Sequence, residues 1–425
     1  MTTKILEHTP GEAEDIVIGG REQLFHLLAE AAEVEHTLMC SYLYAAFSLR
    51  DAADPALRPA EAAAVARWRE RIVSVAVEEM AHLLLVANLT IAIGGRPHFG
   101  RPNFPVAPGY FPADVVVRLA PFSARTLEHF VFLERPADAG LEDAPGFEPP
   151  TDYEREEAYH GLMPSVQDYA TVGELYEALR RNLRAFVARR GEAALFIGPV
   201  AAQVGHDVVA LPGVATITGL DDALAAIDAI VEQGEGAPRG GEASHFERFR
   251  AIQAELAALR RERPGFEPAW PAAENPVMRR PPEPEDKVFV RARPAAAVLD
   301  LANAVYTMLL QLVLQSFGRT GRDAPAGQRR HLDAAIGLMH ELSRLGALLA
   351  RLPADAAPGG PHAGVSFTML RSVEPFFLGE AEARLVHERL DELARGATAL
   401  AARMPELHEA GVRLAAIRDA YAAAR

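Results

Sequence analysis

Apolar positions recur at helical spacing through most of the chain, interrupted by polar stretches rich in Pro and Gly. The first such pattern runs from about Gly20 to Leu49, REQLFHLLAEAAEVEHTLMCSYLYAAFSL, and predicts a long helix. A polar link with prolines, Asp51 to Pro59, leads into a second pattern from about Ala60 to Ile93 that stops at Gly94-Gly95. The short link makes these two helices an antiparallel hairpin. A long Pro/Gly-rich excursion follows, from Arg96 to about Ala170, with an expected short strand at Val115–Leu119 and a short helix at Ala124–Leu133.

Thr171-Val172-Gly173-Glu174 reads as a capping box that opens a third long helix, with Leu175, Leu179, Leu183 and Phe186 as its stripe. A fourth helix is expected from about Leu220 to Gln233, and a fifth near Glu242 with Phe246, Phe249, Ile252 and Leu256. Residues 1–262 thus form one helical unit and 263–294 a Pro-rich linker. Residues 295–425 form a C-terminal helical region packed on the first unit. The class is mainly α: a four-helix bundle with a long crossover containing a little β, plus a helical extension.

Two places break the apolar pattern in a way that needs explanation. Glu35 shares a face with Leu28, Ala31, Leu38, Met39, Tyr42 and Ala46, and a charged carboxylate there is very costly unless paired. Glu30 and Glu33 sit on the more polar side. On the second helix Glu79 and His82 form Glu-x-x-His, projecting together from a face made by Ile72, Val75, Ala76, Leu83 and Val86. A lone Glu-x-x-His arises often by chance, and a buried Glu pairs with Arg or His as readily as with metal. Opposite each other on antiparallel neighbours, however, the two features make half of a carboxylate-bridged two-metal site.

Composition narrows the chemistry. A single cysteine, Cys40, excludes an intramolecular disulfide and thiolate zinc or iron–sulfur sites within one chain. Any metal is then held by Glu, Asp and His, which suits iron, with manganese as the alternative. A net charge of −15 argues against a nucleic-acid partner. The N-terminus lacks a signal-peptide pattern, and no apolar run is read as approaching the ~20 residues that span a bilayer. The expected location is the cytoplasm, away from the membrane.

The second half of the site is less regular. Glu242-Ala243-Ser244-His245 fits a second Glu-x-x-His, with His245 on the face of Phe249, Ile252 and Leu256. Alternatively, antiparallel third and fourth helices bring Glu174 beside Glu232 and Glu235, and the Gly-rich break lets His245 swing in. Glu174 also has a purely local reading as the third residue of its capping box.

Taken together, EHTLMCSYLYAAFSL, VAVEEMAHLLLVANLTIAIGGRPHFGRPNFP, TVGELYEAL, IVEQGEGA and EASHFERF resemble the ferritin-like domain of bacterial iminophenyl-pyruvate dimer synthases of the violacein-pathway type. The resemblance covers roughly residues 20–265, with a looser likeness through the C-terminal helices. It implies a ferritin-like bundle and the metal ligands Glu35, Glu79, His82, Glu174, Glu235 and His245. It also implies a non-haem di-iron oxidoreductase of specialised metabolism, in which O2 or H2O2 oxidises or couples a small amino-acid-derived substrate. Relatives are associated with haem as well, and haem stays open, although no C-x-x-C-H occurs. Two other readings stand beside this one: iron handling or catalase-like chemistry without an organic substrate, and a metal-free helical scaffold. A homodimer is compatible with all three.

Overall fold

The computed structural model describes residues 18–106, 110–111, 116–136, 139–147, 169, 171–234, 243–371 and 373–424. The long hairpin is α1 (Arg21–Ser48) and α2 (Pro59–Ala92). Pro59 occupies the first turn of α2, where its missing N–H costs nothing, and the Arg58 N–H donates to the Glu61 carboxylate. At its other end Gly94 takes φ 95°, while the N–H groups of Gly94 and Gly95 donate to the carbonyls of Ile91 and Thr90. That is a Schellman stop, and only the left-handed glycine permits it without strain.

The crossover helix α3 (Ala124–Leu133) has the predicted bounds, with Ser123 as its cap. The strand expected at Val115–Leu119 is not one among the described residues, and Val115 lies outside them. Leu119 instead exchanges hydrogen bonds with Asn275, whose side-chain oxygen accepts from the Leu119 N–H, so an amide side chain replaces a ladder partner. The parallel pair that does form is β1 (Pro276–Val277) and β2 (Val288–Phe289), inside the Pro-rich segment.

Helices α4 (Val172–Arg190) and α6 (Leu220–Gly234) pair with each other and pack on the hairpin, completing the four-helix bundle; the single turn α5 (Glu192–Leu195) follows α4. Helix α7 (His245–Glu262) lies against α2 and α3. It starts later than the sequence pattern suggests, because Ser244 caps it reciprocally with Glu247. His245 is therefore the first residue of the helix.

The Pro-rich segment 263–294 is laid along the end of the hairpin. Phe266 and Phe122 flank the buried Trp68 ring, and Arg50 stacks over Trp270. Two further hairpins follow: α8 (Arg293–Ser316) with α9 (Ala324–Leu349), and α10 (Glu380–Ala401) with α11 (His408–Ala423). Helix α9 covers the side of α1 that faces away from α4, which explains why α1 is buried continuously from Val34 to Tyr42.

One expectation about length needs correction. Helices α2 and α8 do contain 18-residue windows long and apolar enough to cross a bilayer. Those windows are 72% and 78% buried in the fold, because each helix is packed on more than one side and its polar face is correspondingly thin.

Candidate metal centre

Five buried side chains converge between α1, α2 and the ends of α3 and α7. Glu35 comes from the middle of α1, and Glu79 with His82 from one face of α2. Glu134 caps the C-terminus of α3, and His245 is the first residue of α7. Each is at most 5% exposed.

Glu79 sits between the two imidazoles. Its Oε2 lies 3.0 Å from His82 Nδ1, and its Oε1 lies 3.1 Å from His245 Nδ1. Glu35 adds an oxygen 3.4 Å from the His82 nitrogen, and Glu134 one 3.6 Å from that of His245. Two triads result, Glu35–Glu79–His82 and Glu79–Glu134–His245, each with its ligand atoms within 4.8 Å of one another. The imidazole rings are 5.7 Å apart and nearly parallel, at 28°.

The surrounding groups hold both imidazoles in the same sense. The side-chain amide oxygen of Gln233 is 2.8 Å from His82 Nε2, and the Glu78 carboxylate is 3.1 Å from His245 Nε2. Arg248 donates to the same Glu78. An acceptor at Nε2 keeps the proton there and turns the Nδ1 lone pair inward. Tyr176 donates to Glu35 and Tyr42 to Glu134, so each outer carboxylate has its own phenol. Burial, then the neighbouring carboxylates, pushes both phenols well above their ordinary range, and both stay neutral donors.

These donors fit a metal. His245 Nδ1 is fully buried and has no hydrogen-bond partner among the described residues, although a carboxylate oxygen stands 3.1 Å away. While the imidazole is neutral two acceptors face each other there, an arrangement that a metal ion or a proton between them relieves. Without metal, protons take that role. Burial works against a charged His82, but hydrogen bonds and charge from Glu35 and Glu79 outweigh it and lift the imidazole to about 10. Burial, then the charge of Glu79, raises Glu35 to about 7. Glu79 itself moves down: burial would raise it, and His245 and His82 overcome that. Two nitrogens and three carboxylates, with no thiolate, make an oxygen-rich set suited to iron or manganese.

Of the residues singled out from sequence, Glu35, Glu79, His82 and His245 come together. Glu174 does not join them: it is half-buried at the start of α4, its N–H donating to Thr171, while Val172, Gly173 and Tyr176 of the same turn border the centre. Glu232 is half-buried on α6. Glu235 and Glu242 lie outside the described residues. Gly234 lies against the Glu134 carboxylate, so α6 ends at the edge of the site. Glu134 and Glu78 escaped sequence reasoning, because one ends a short crossover helix and the other adjoins a stronger candidate.

A cavity of about 20 Å³ borders the five residues, walled by Leu38, Val172, Ile230 and Val231. It has room for water or a molecule of similar size.

The ferritin-like family profile matches residues 28–254. This chain belongs to the ferritin-like family. Its described helices make it a mainly α ferritin-like bundle. Two curated relatives resemble nearly the whole chain. A 2-imino-3-(indol-3-yl)propanoate dimerase from Chromobacterium violaceum is 30% identical over 93% of this chain and 40% of its own length. A dichlorochromopyrrolate synthase from Lentzea aerocolonigenes is 28% identical over 89% of this chain and 39% of its own. The ferritin-like chain thus spans about two fifths of the length of the curated relatives it matches. A solved ferritin-like protein from Caulobacter vibrioides overlaps 68% of this chain and 84% of its own, at 19% identity and TM-score 0.44.

Proposed function

We propose that this ferritin-like protein is a di-metal oxidoreductase of specialised metabolism, with iron as its metal. The reading is carried by Glu79, whose two oxygens each face a different histidine that has its own outer carboxylate. When bound, a carboxylate-bridged metal pair supplies Lewis acidity and redox capacity toward dioxygen or peroxide. The chain's residues hold the donors in place. Gln233 and Glu78 fix the imidazole tautomers, Tyr176 and Tyr42 orient the outer carboxylates, and the apolar wall keeps bulk water away.

The curated relatives support a small amino-acid-derived substrate, since one is named for dimerising an indole-bearing imine. Coupling two such molecules through one new bond removes two electrons and two protons. One H2O2 takes these up to give two waters, or one O2 takes them up to give H2O2. The expected partners are therefore a small organic molecule and O2 or H2O2, and the expected location remains the cytoplasm.

A second reading, catalase-like turnover without an organic substrate, is favoured by one observation: the cavity at the centre admits only very small molecules. Elemental analysis of protein expressed with added iron, together with assays of peroxide loss with and without an aromatic imine, separates the two. Equal peroxide loss in both assays supports the catalase-like reading. Wild-type protein retaining no metal, or a Glu79→Ala variant retaining as much as wild type, overturns both.

A further inference from the structure

On the other side of the α1–α2 layer from the metal centre lies a second cavity, of about 300 Å³, that the proposed chemistry does not use. Residues adjoining the centre turn into it: Met80 follows Glu79 and Leu83 follows His82, while Met39 follows Leu38 of the first cavity's wall. Its opposite wall is α8 and α9, through Leu309, Val313, Leu332 and Ala335. We infer that this cavity is a binding site for a small uncharged aromatic molecule, with any polar group of that ligand held at the mouth.

The interior offers water almost nothing. Among the cavity's lining residues only Tyr306, His340 and Ser343 carry polar side chains. The Tyr306 hydroxyl is already engaged, 2.6 Å from His36 Nε2 and 3.0 Å from Arg101. A dry apolar void is destabilising in proportion to its volume, and water does not fill it without polar partners. This volume lies at the lower end of the about 300–1,000 Å³ typical of small-molecule sites.

The wall chemistry selects the ligand. Phe47, Phe99, Tyr306 and Phe367 form one end, with Phe47 and Phe367 stacked and Tyr306 edge-on to Phe367. Met39, Met80 and Met339 supply polarisable thioethers that suit ring faces and edges. Phe367 is held at φ 44°, a region bulky residues rarely adopt, and its carbonyl accepts from the buried Arg101. The backbone there is strained in the conformation that presents this ring. At the rim, His340 and Ser343 are exposed, leaving hydrogen-bonding groups only where the ligand would meet solvent.

The test uses the full metal-loaded chain and N-phenyl-1-naphthylamine, an uncharged aromatic dye that brightens in apolar surroundings. The expected result is saturable binding of one dye per chain. Ala335→Phe, which fills the wall, and Ser343→Trp, which blocks the mouth at an exposed position, should each weaken it at least tenfold. Ser343→Trp keeps the test decisive if the buried variant fails to fold. Non-saturable binding, or a Ser343→Trp variant that binds as wild type, overturns the inference. So does dye binding that disappears as the chain self-associates, which would assign the cavity to a second copy.

Discussion

Glu79 presents an oxygen 3.1 Å from Nδ1 of His245, a buried nitrogen that has no hydrogen-bond partner among the described residues. The Nε2 of the same ring is committed to Glu78, so the inward nitrogen has no proton to offer while the imidazole is neutral.

Because Glu79 belongs to both triads and Glu35 to one, their removal should differ. Glu79→Ala is expected to lose both ions, whereas Glu35→Ala should retain about half the wild-type metal. Elemental analysis of the purified variants checks this. Equal losses in the two would refute the bridging role.

Glu78 is expected to act on metal through His245 rather than by touching it. Glu78→Gln preserves shape but removes the charge, and should weaken metal binding by about 10–100-fold. Arg248→Met should weaken it less, since it acts one contact further away. Competition against a chelator measures both. The test fails if Glu78→Gln holds metal as tightly as wild type.

Local pattern made half of this centre legible in the sequence. Glu35, Glu79 and His82 stand on long helices whose faces are set by spacing alone, and Gly94-Gly95 marks the end of the second. The rest depends on tertiary contacts. Glu134 reaches the centre only because α3 packs on α7, and nothing in FVFLERP distinguishes it from a surface carboxylate. His245 was visible, but the reciprocal cap of Ser244 and Glu247 that makes it the first residue of its helix places it by local hydrogen bonding and not by helical spacing. Cavities between α1, α2 and the C-terminal helices leave no trace in periodicity.

The two phenols should matter most when no metal balances the carboxylates. Tyr176→Phe and Tyr42→Phe each leave a buried carboxylate oxygen without its donor. Each should destabilise the metal-free protein by about 1.5–3 kcal/mol, the range for hydrogen bonds to charged groups. Urea unfolding of chelator-treated protein reads this directly. Unchanged midpoints would mean the phenols are packing residues only.

A buried ion-pair network ties the C-terminal hairpins together and predicts how they respond to acid. Glu382 on α10 accepts from Arg319 and lies 3.2 Å from Nε2 of His331 on α9. Burial works to raise its carboxyl, but the hydrogen bonds and charges of His331 and Arg319 prevail and hold it at about 2. A carboxyl depressed in the folded state adds stability above its ordinary value near 4.5 and loses it as pH falls through about 2. Removing one partner of a buried pair costs about 3–5 kcal/mol. Glu382→Gln should therefore be markedly less stable than wild type at pH 7, with the gap narrowing below pH 4.5. Thermal melts across that range check both halves, and a gap that stays constant down to pH 2.5 would mean the glutamate contributes through packing and not through its charge.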